Sequence, residues 1–183
     1  MLRLRTLVAA AALALPGVAA AELEIVGEID GMQGAHGRVG EDDAGFGLAA
    51  RAHWMHRLAG WWLGPELLLQ FANPDGLSVE VEDATIGDHW GLRAVAGGRL
   101  GFGEMVRPHL YGHLGYGAYF VPGGDFGFGN VVPDRTYSGL SWDAGLGFDF
   151  AMPTWLVGLH VGYADIADAA GWVNIGVHAG VRP

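Results

Sequence analysis

The chain has 183 residues, 51% of them hydrophobic, which is material for one domain and too little for two comfortable ones. Cysteine is absent, so disulfides, thiolate metal sites and cysteine nucleophiles are excluded. A formal charge of −10 lacks the basic face that nucleic-acid binding requires.

The N-terminus has the layout of a secretory signal peptide. Arg3 and Arg5 form a positive start, residues 7–15 an apolar stretch, and Pro16 and Gly17 break it before Ala19, Ala20 and Ala21. Cleavage is expected before Glu22, giving a signal over residues 1–21 and a mature domain over residues 22–183. Losing the two arginines takes the charge from −10 to −12. No stretch approaches the roughly 20 continuous apolar residues of a membrane-spanning helix.

After Glu22 apolar residues recur at every second position, the period of a strand. Residues 23–33 set Leu23, Ile25 and Ile29 against Glu24, Glu28 and Asp30. Residues 45–56 set Phe46, Leu48 and Trp54 against Arg51 and His53, and a tight turn is expected over residues 57–60. Residues 61–71 set Leu63, Leu67, Leu69 and Phe71 against Glu66 and Gln70; Pro65 is the weak point of this strand, because proline cannot donate to a ladder. Residues 91–102 set Leu92 and Leu100 against Arg93 and Arg99, followed by a short turn over residues 103–106. Residues 107–120 oppose Leu110, Leu114, Tyr116 and Phe120 to His109, Tyr111 and His113.

Residues 138–150 oppose Leu140, Trp142, Leu146, Phe148 and Phe150 to Asp143 and Asp149, and a third short turn covers residues 151–154. Residues 155–163 oppose Val157, Leu159, Val161 and Tyr163 to His160. Residues 172–182 oppose Val173, Ile175, Val177 and Val181 to Asn174, His178 and Arg182. Residues 157–162 and 175–180 echo one another (Val-Gly-Leu-His-Val-Gly and Ile-Gly-Val-His-Ala-Gly), which reads as shared strand grammar and not as a solenoid repeat.

Three features choose a membrane barrel over a soluble sandwich. The polar faces are mostly glycine with sparse charges of both signs, and lysine is absent, which suits a crowded interior. Aromatic residues gather near strand ends: Trp54, Trp61, Phe102 and Trp155 beside the short turns, Phe71, Phe120 and Tyr163 beside the longer loops. Two such clusters match the girdles at the two membrane interfaces. Short and long connections also alternate, as in an up-and-down barrel. Hydrocarbon offers no partner to a free sheet edge, so the sheet must close.

The expected fold is therefore all-β, an eight-stranded antiparallel up-and-down transmembrane β-barrel after a cleaved signal peptide. On this pattern the chain resembles the small eight-stranded outer-membrane barrels of the OmpA and OmpX type. That resemblance implies the cell outer membrane of a Gram-negative bacterium. It also implies outer-membrane lipid, lipopolysaccharide and the barrel assembly machinery as partners. Such barrels usually end in an aromatic residue, whereas this chain ends Val181-Arg182-Pro183.

With the apolar faces on lipid, Glu24, Glu28, Asp30, Arg51, Glu66, Arg93, Arg99, Asp143 and Asp149 point inward. They read as a self-paired polar plug that fixes register, in preference to a gate or ion path. A turn centred between Arg57 and Gly60 places Arg51 directly across from Glu66. His109 and His113 share a face, but four residues along a strand separate them by roughly 13 Å, too far for one ion. No metal site and no cofactor is assigned.

The loop over residues 73–90 is acidic, with Asp75, Glu80, Glu82, Asp83 and Asp88, and residues 77–82 alternate as if continuing the strands outward. The loop over residues 121–137 carries Phe126 and Phe128. A structural or surface-interaction barrel without catalysis accounts for these features. Two alternatives stand beside it. One is a lipid-modifying enzyme: outer-membrane deacylases that resemble such barrels carry a His-x-Ser pair, where this chain has His178-Ala179-Gly180. The other is a soluble lipocalin-like barrel holding an apolar ligand, which requires the leucine faces to point inward.

Overall fold

The computed structural model describes residues 22–37, 44–74, 80–81, 84–85, 89–125, 131–167 and 170–183. Residues 1–21 lie outside the described residues, as do Asp75, Glu82, Asp83, Asp88, Phe126 and Phe128. Eight long strands form one closed barrel. They are β1 (Glu22–Gly37), β2 (Ala44–Leu58), β3 (Trp61–Asn73), β4 (Trp90–Phe102), β5 (Val106–Val121), β6 (Arg135–Ala151), β7 (Trp155–Ile166) and β8 (Ala170–Val181). Each is hydrogen-bonded antiparallel to its chain neighbours, and β1 closes on β8 with Ile25 opposite Val181. The expected architecture is the observed one, and the strands run past their expected ends by one to three residues at most termini.

Three connections at one end are tight. Residues 59–60 form a two-residue turn in which both have positive φ, 49° for Ala59 and 87° for Gly60. Residues 103–105 and 152–154 form the other two. Backbone hydrogen bonds lace this end together, from Gly103 N to Gly60 O at 3.1 Å, Ala151 N to Met105 O at 2.7 Å and Arg182 N to Thr154 O at 3.0 Å.

The opposite end differs from expectation in two places. The connection between β7 and β8 is only residues 167–169, because β7 runs on to Ile166 and β8 begins at Ala170, with consecutive residues buried at both of these strand ends. Residues 80–81 pair with 84–85 as a two-stranded sheet separate from the barrel, and residues 77–79 and 82 lie outside the described residues. A second small pair joins residues 124–125 to 131–132.

The register between β2 and β3 also corrects the sequence reading. His53, not Arg51, stands opposite Glu66, and Arg51 faces Leu68. The physical reason is the turn: β2 runs on to Leu58, and the chain reverses on Ala59 and Gly60, which shifts every pair by two residues. Pairing lapses between His53/Glu66 and His56/Leu63, beside Pro65. There the backbones approach so closely that a Cβ on Gly64 would lie 1.8 Å from Trp54 O. Proline is thus accommodated inside a closed sheet by a local gap in the ladder, and Pro65 does not make β3 an edge.

Alternation along each strand gives the barrel two surfaces of opposite character. Outside lie the large apolar residues, with Ile29, Leu63, Leu69, Leu110, Leu114, Leu140, Leu159 and Ile175 all more than half exposed. Inside lie the charges. An apolar cluster of Met32, Ala72, Tyr119, Ala164, Ile166, Ala170 and Trp172 fills the interior toward the long-loop end. A smaller one of Val26, Ala151 and Leu156 lies toward the short-turn end.

Candidate functional site

The polar interior between those clusters is the most distinctive chemistry of the molecule. Glu66 on β3 is its hub. Its carboxylate meets Arg51 Nη1 at 3.1 Å, Arg99 Nε at 2.9 Å, His53 Nδ1 at 3.1 Å and His113 Nε2 at 2.9 Å. Arg51 also pairs with Glu28, so it still links the two acids despite the shifted register. Glu24 receives His53 Nε2 at 2.7 Å and Arg107 Nη2 at 2.8 Å. Arg182 reaches Glu24 from the rim at 3.0 Å and pairs with Glu22 as well.

Three further acids complete the set. Asp143 is held by Arg93 at 2.6 Å and by His113 at 2.5 Å. Asp149 is held by Arg99 at 3.3 Å and His178 at 2.7 Å, with His109 at 3.5 Å. Asp30 accepts from Gln70 at 2.8 Å, and Gln70 in turn accepts from Arg93 at 2.6 Å. Apart from Arg182 and Glu22 at the rim, all these side chains are buried, none more than 5% exposed.

The structure therefore places Glu24, Glu28, Asp30, Arg51, Glu66, Arg93, Arg99, Asp143 and Asp149 inside and brings them into contact. Sequence reasoning missed Arg107, which is 2% exposed. The signal was present, since Arg107 lies two residues before the inward His109 on the same strand. Among the described residues seven carboxylates are buried, Glu24, Glu28, Asp30, Glu66, Asp143, Asp149 and Asp165, against four buried arginines, Arg51, Arg93, Arg99 and Arg107, with Arg182 reaching Glu24 from the rim. The buried acids outnumber the buried arginines, and the buried histidines lie among them. His109 and His113 serve separate acids and do not converge.

The outer surface supplies the second feature. At the short-turn end Trp61 and Phe102 lie edge to face with ring centres 5.6 Å apart, and Trp54 on β2 and Trp155 on β7 are exposed on the outer surface at the same end. At the long-loop end the rings of Phe46, Phe71, Trp90 and Phe120 form a chain across β2 to β5, at 6.0, 6.3 and 4.0 Å. Trp142 and Tyr163 extend it on β6 and β7 at 5.3 Å. Between the two rings the wall is mostly aliphatic, with Tyr116 and Phe148 also exposed on it. An exposed apolar surface of this extent, bounded by aromatics, belongs against acyl chains. The leucine faces point outward, which overturns the lipocalin-like alternative.

No protein-family model and no curated protein matches the chain. Solved structures do match in fold. Ail, the attachment invasion locus protein of Yersinia pestis, solved with the heparin analogue sucrose octasulfate, aligns over 89% of this chain and 97% of its own at 18% identity and a TM-score of 0.55. Neisserial surface protein A aligns over 91% and 99% at 12% identity and a TM-score of 0.54. The outer membrane enzyme PagL aligns over 87% and 99% at 13% identity and a TM-score of 0.51. With its closed eight-stranded barrel, outward aliphatic wall and inward charges, the chain has the fold of the small eight-stranded outer-membrane β-barrels.

Proposed function

We propose that this protein is an outer-membrane barrel with a structural or surface-interaction role, exported by a signal over residues 1–21 and neither conducting nor catalytic. The observation that carries the reading is the interior itself. Its acids and bases are buried and spent on one another, and apolar side chains fill the barrel on either side of them. Such an arrangement holds strands in register and leaves no continuous wet path. The short-turn end then faces the periplasm, and the longer connections face outward, where a surface role would reside.

A fold shared with the outer membrane enzyme PagL makes an enzyme the alternative to weigh, and the local chemistry opposes the lipid-modifying one. His178 points inward onto Asp149 and is followed by Ala179 and Gly180, with no serine beside it. Ser141 is buried and donates to Asp165 O at 2.7 Å, while Ser138 accepts from the Tyr116 hydroxyl at 3.0 Å on the outer wall. Neither is positioned as an activated nucleophile by a histidine.

Cell fractionation and planar-bilayer recording test the proposal together. The protein should partition with the outer membrane, migrate differently on gels before and after boiling, and give no steady ion current when reconstituted. Recovery as a freely soluble periplasmic protein, or reproducible unitary conductance, overturns it.

A further inference from the structure

The echo between β7 and β8 has a structural meaning. Gly158-Leu159-His160 and Gly176-Val177-His178 are antiparallel partners centred on Leu159 opposite Val177, so His160 stands across from Gly176 and His178 across from Gly158. Each glycine is the room for the other strand's imidazole. A Cβ on Gly176 would lie 2.5 Å from His160 Cε1, and one on Gly158 would lie 2.4 Å from His178 Nε2. The reciprocal arrangement brings the two rings side by side inside the barrel, with their Nδ1 atoms 3.3 Å apart.

The protonation of this pair is overdetermined. His178 Nε2 is 2.7 Å from Asp149 Oδ1; an ionised carboxylate only accepts, so that nitrogen carries the proton and Nδ1 offers a lone pair. His160 Nε2 lies 2.8 Å from Asp30 Oδ1 without directed hydrogen-bond geometry, and 3.9 Å from Glu28 Oε2. If neutral His160 is protonated at Nε2, two lone pairs confront each other at the Nδ1 atoms. If it is protonated at Nδ1, a lone pair confronts the Asp30 carboxylate instead. No placement of the ring proton on His160 suits both contacts, and a metal cation between the facing nitrogens does.

We propose that Glu28, His160 and His178 form a buried binding site for a divalent first-row transition ion such as Zn²⁺. One potential donor atom from each residue lies within 4.8 Å of the other two. Two nitrogens bound tetrahedrally at metal–nitrogen distances of about 2.0–2.1 Å stand about 3.3–3.4 Å apart, and the facing nitrogens are 3.3 Å apart. That is long for a shared N–H hydrogen bond. Imidazole with carboxylate is a donor set that suits zinc, copper or nickel, and a ligating histidine whose other nitrogen is held by a carboxylate is the usual supporting arrangement. Asp149 supplies that support to His178.

The test uses the whole mature barrel refolded in detergent micelles, with folding verified by the gel shift on boiling. Because the site is enclosed, Co²⁺ or Zn²⁺ alone is supplied during refolding, and the folded protein is then passed through chelator. One equivalent per chain should remain, with cobalt giving the intense visible bands of four-coordinate geometry. His160→Gln and His178→Gln should fold and lose the metal, whereas His109→Gln should keep it. Asp149→Asn should weaken zinc affinity about 10–100-fold. Should the histidine variants not fold, the wild-type protein decides. Its urea midpoint should be higher after refolding with Zn²⁺ than with EDTA. Folded wild-type protein that retains no ion, or His178→Gln that retains a full equivalent, overturns the site. None of these outcomes depends on where the barrel resides in the cell, so the proposed location stands or falls separately.

Discussion

Arg51 shows how a single side chain can matter more than its net pairing energy suggests. It lies between Glu28 and Glu66, each almost fully buried. Removing both members of such a pair is often nearly neutral, but removing one leaves an uncompensated charge and costs about 3–5 kcal/mol. Arg51→Ala should therefore lower unfolding stability in micelles by about that amount, measured by urea titration. At this scale the sequence was legible in one respect and opaque in another. Alternation alone assigns Arg51, Glu66 and their fellows to the inside, because a side chain's face depends only on parity. Which acid meets which base depends on register, and the shift of two residues at Ala59 and Gly60 reassigned Glu66's direct neighbour to His53. The meeting of His160 and His178 was equally hidden, since it requires knowing that β7 and β8 are neighbours and where they align.

Elements show what the tight turns and the outward faces each contribute. Ala59 adopts a left-handed backbone, φ 49°, that costs a residue with an ordinary Cβ about 1 kcal/mol, whereas asparagine tolerates it. Ala59→Asn should raise stability by about that amount, visible as a higher urea midpoint. On the wall, Leu67 lies midway along β3 and outward, while Phe102 closes β4 in the short-turn girdle. Arginine in place of Leu67 should cost about 2–4 kcal/mol in a bilayer, and in place of Phe102 about 0–1 kcal/mol. Equal costs at both positions, measured by unfolding from lipid vesicles, would contradict a midplane belt. The strands were the most readable elements because period-two patterning survives over a dozen residues. Their ends were less so, since Ala164 to Ile166 depart from outward–inward alternation and are buried in succession beneath the long-loop end.

For the molecule as a whole, closure was inferable from physics before any coordinates, because an open sheet cannot reside in hydrocarbon. The seam joins β1 to β8, so the first barrel strand finds its last partner only when β8 is present. More than 150 residues separate Ile25 from Val181, and no local contact substitutes for theirs. Assembly of this protein is accordingly an all-or-none event at its final step. A chain stopped short of β8 does not become a smaller barrel; it presents two raw edges at once, and whatever machinery escorts it must shield the first edge for as long as it takes the last strand to arrive.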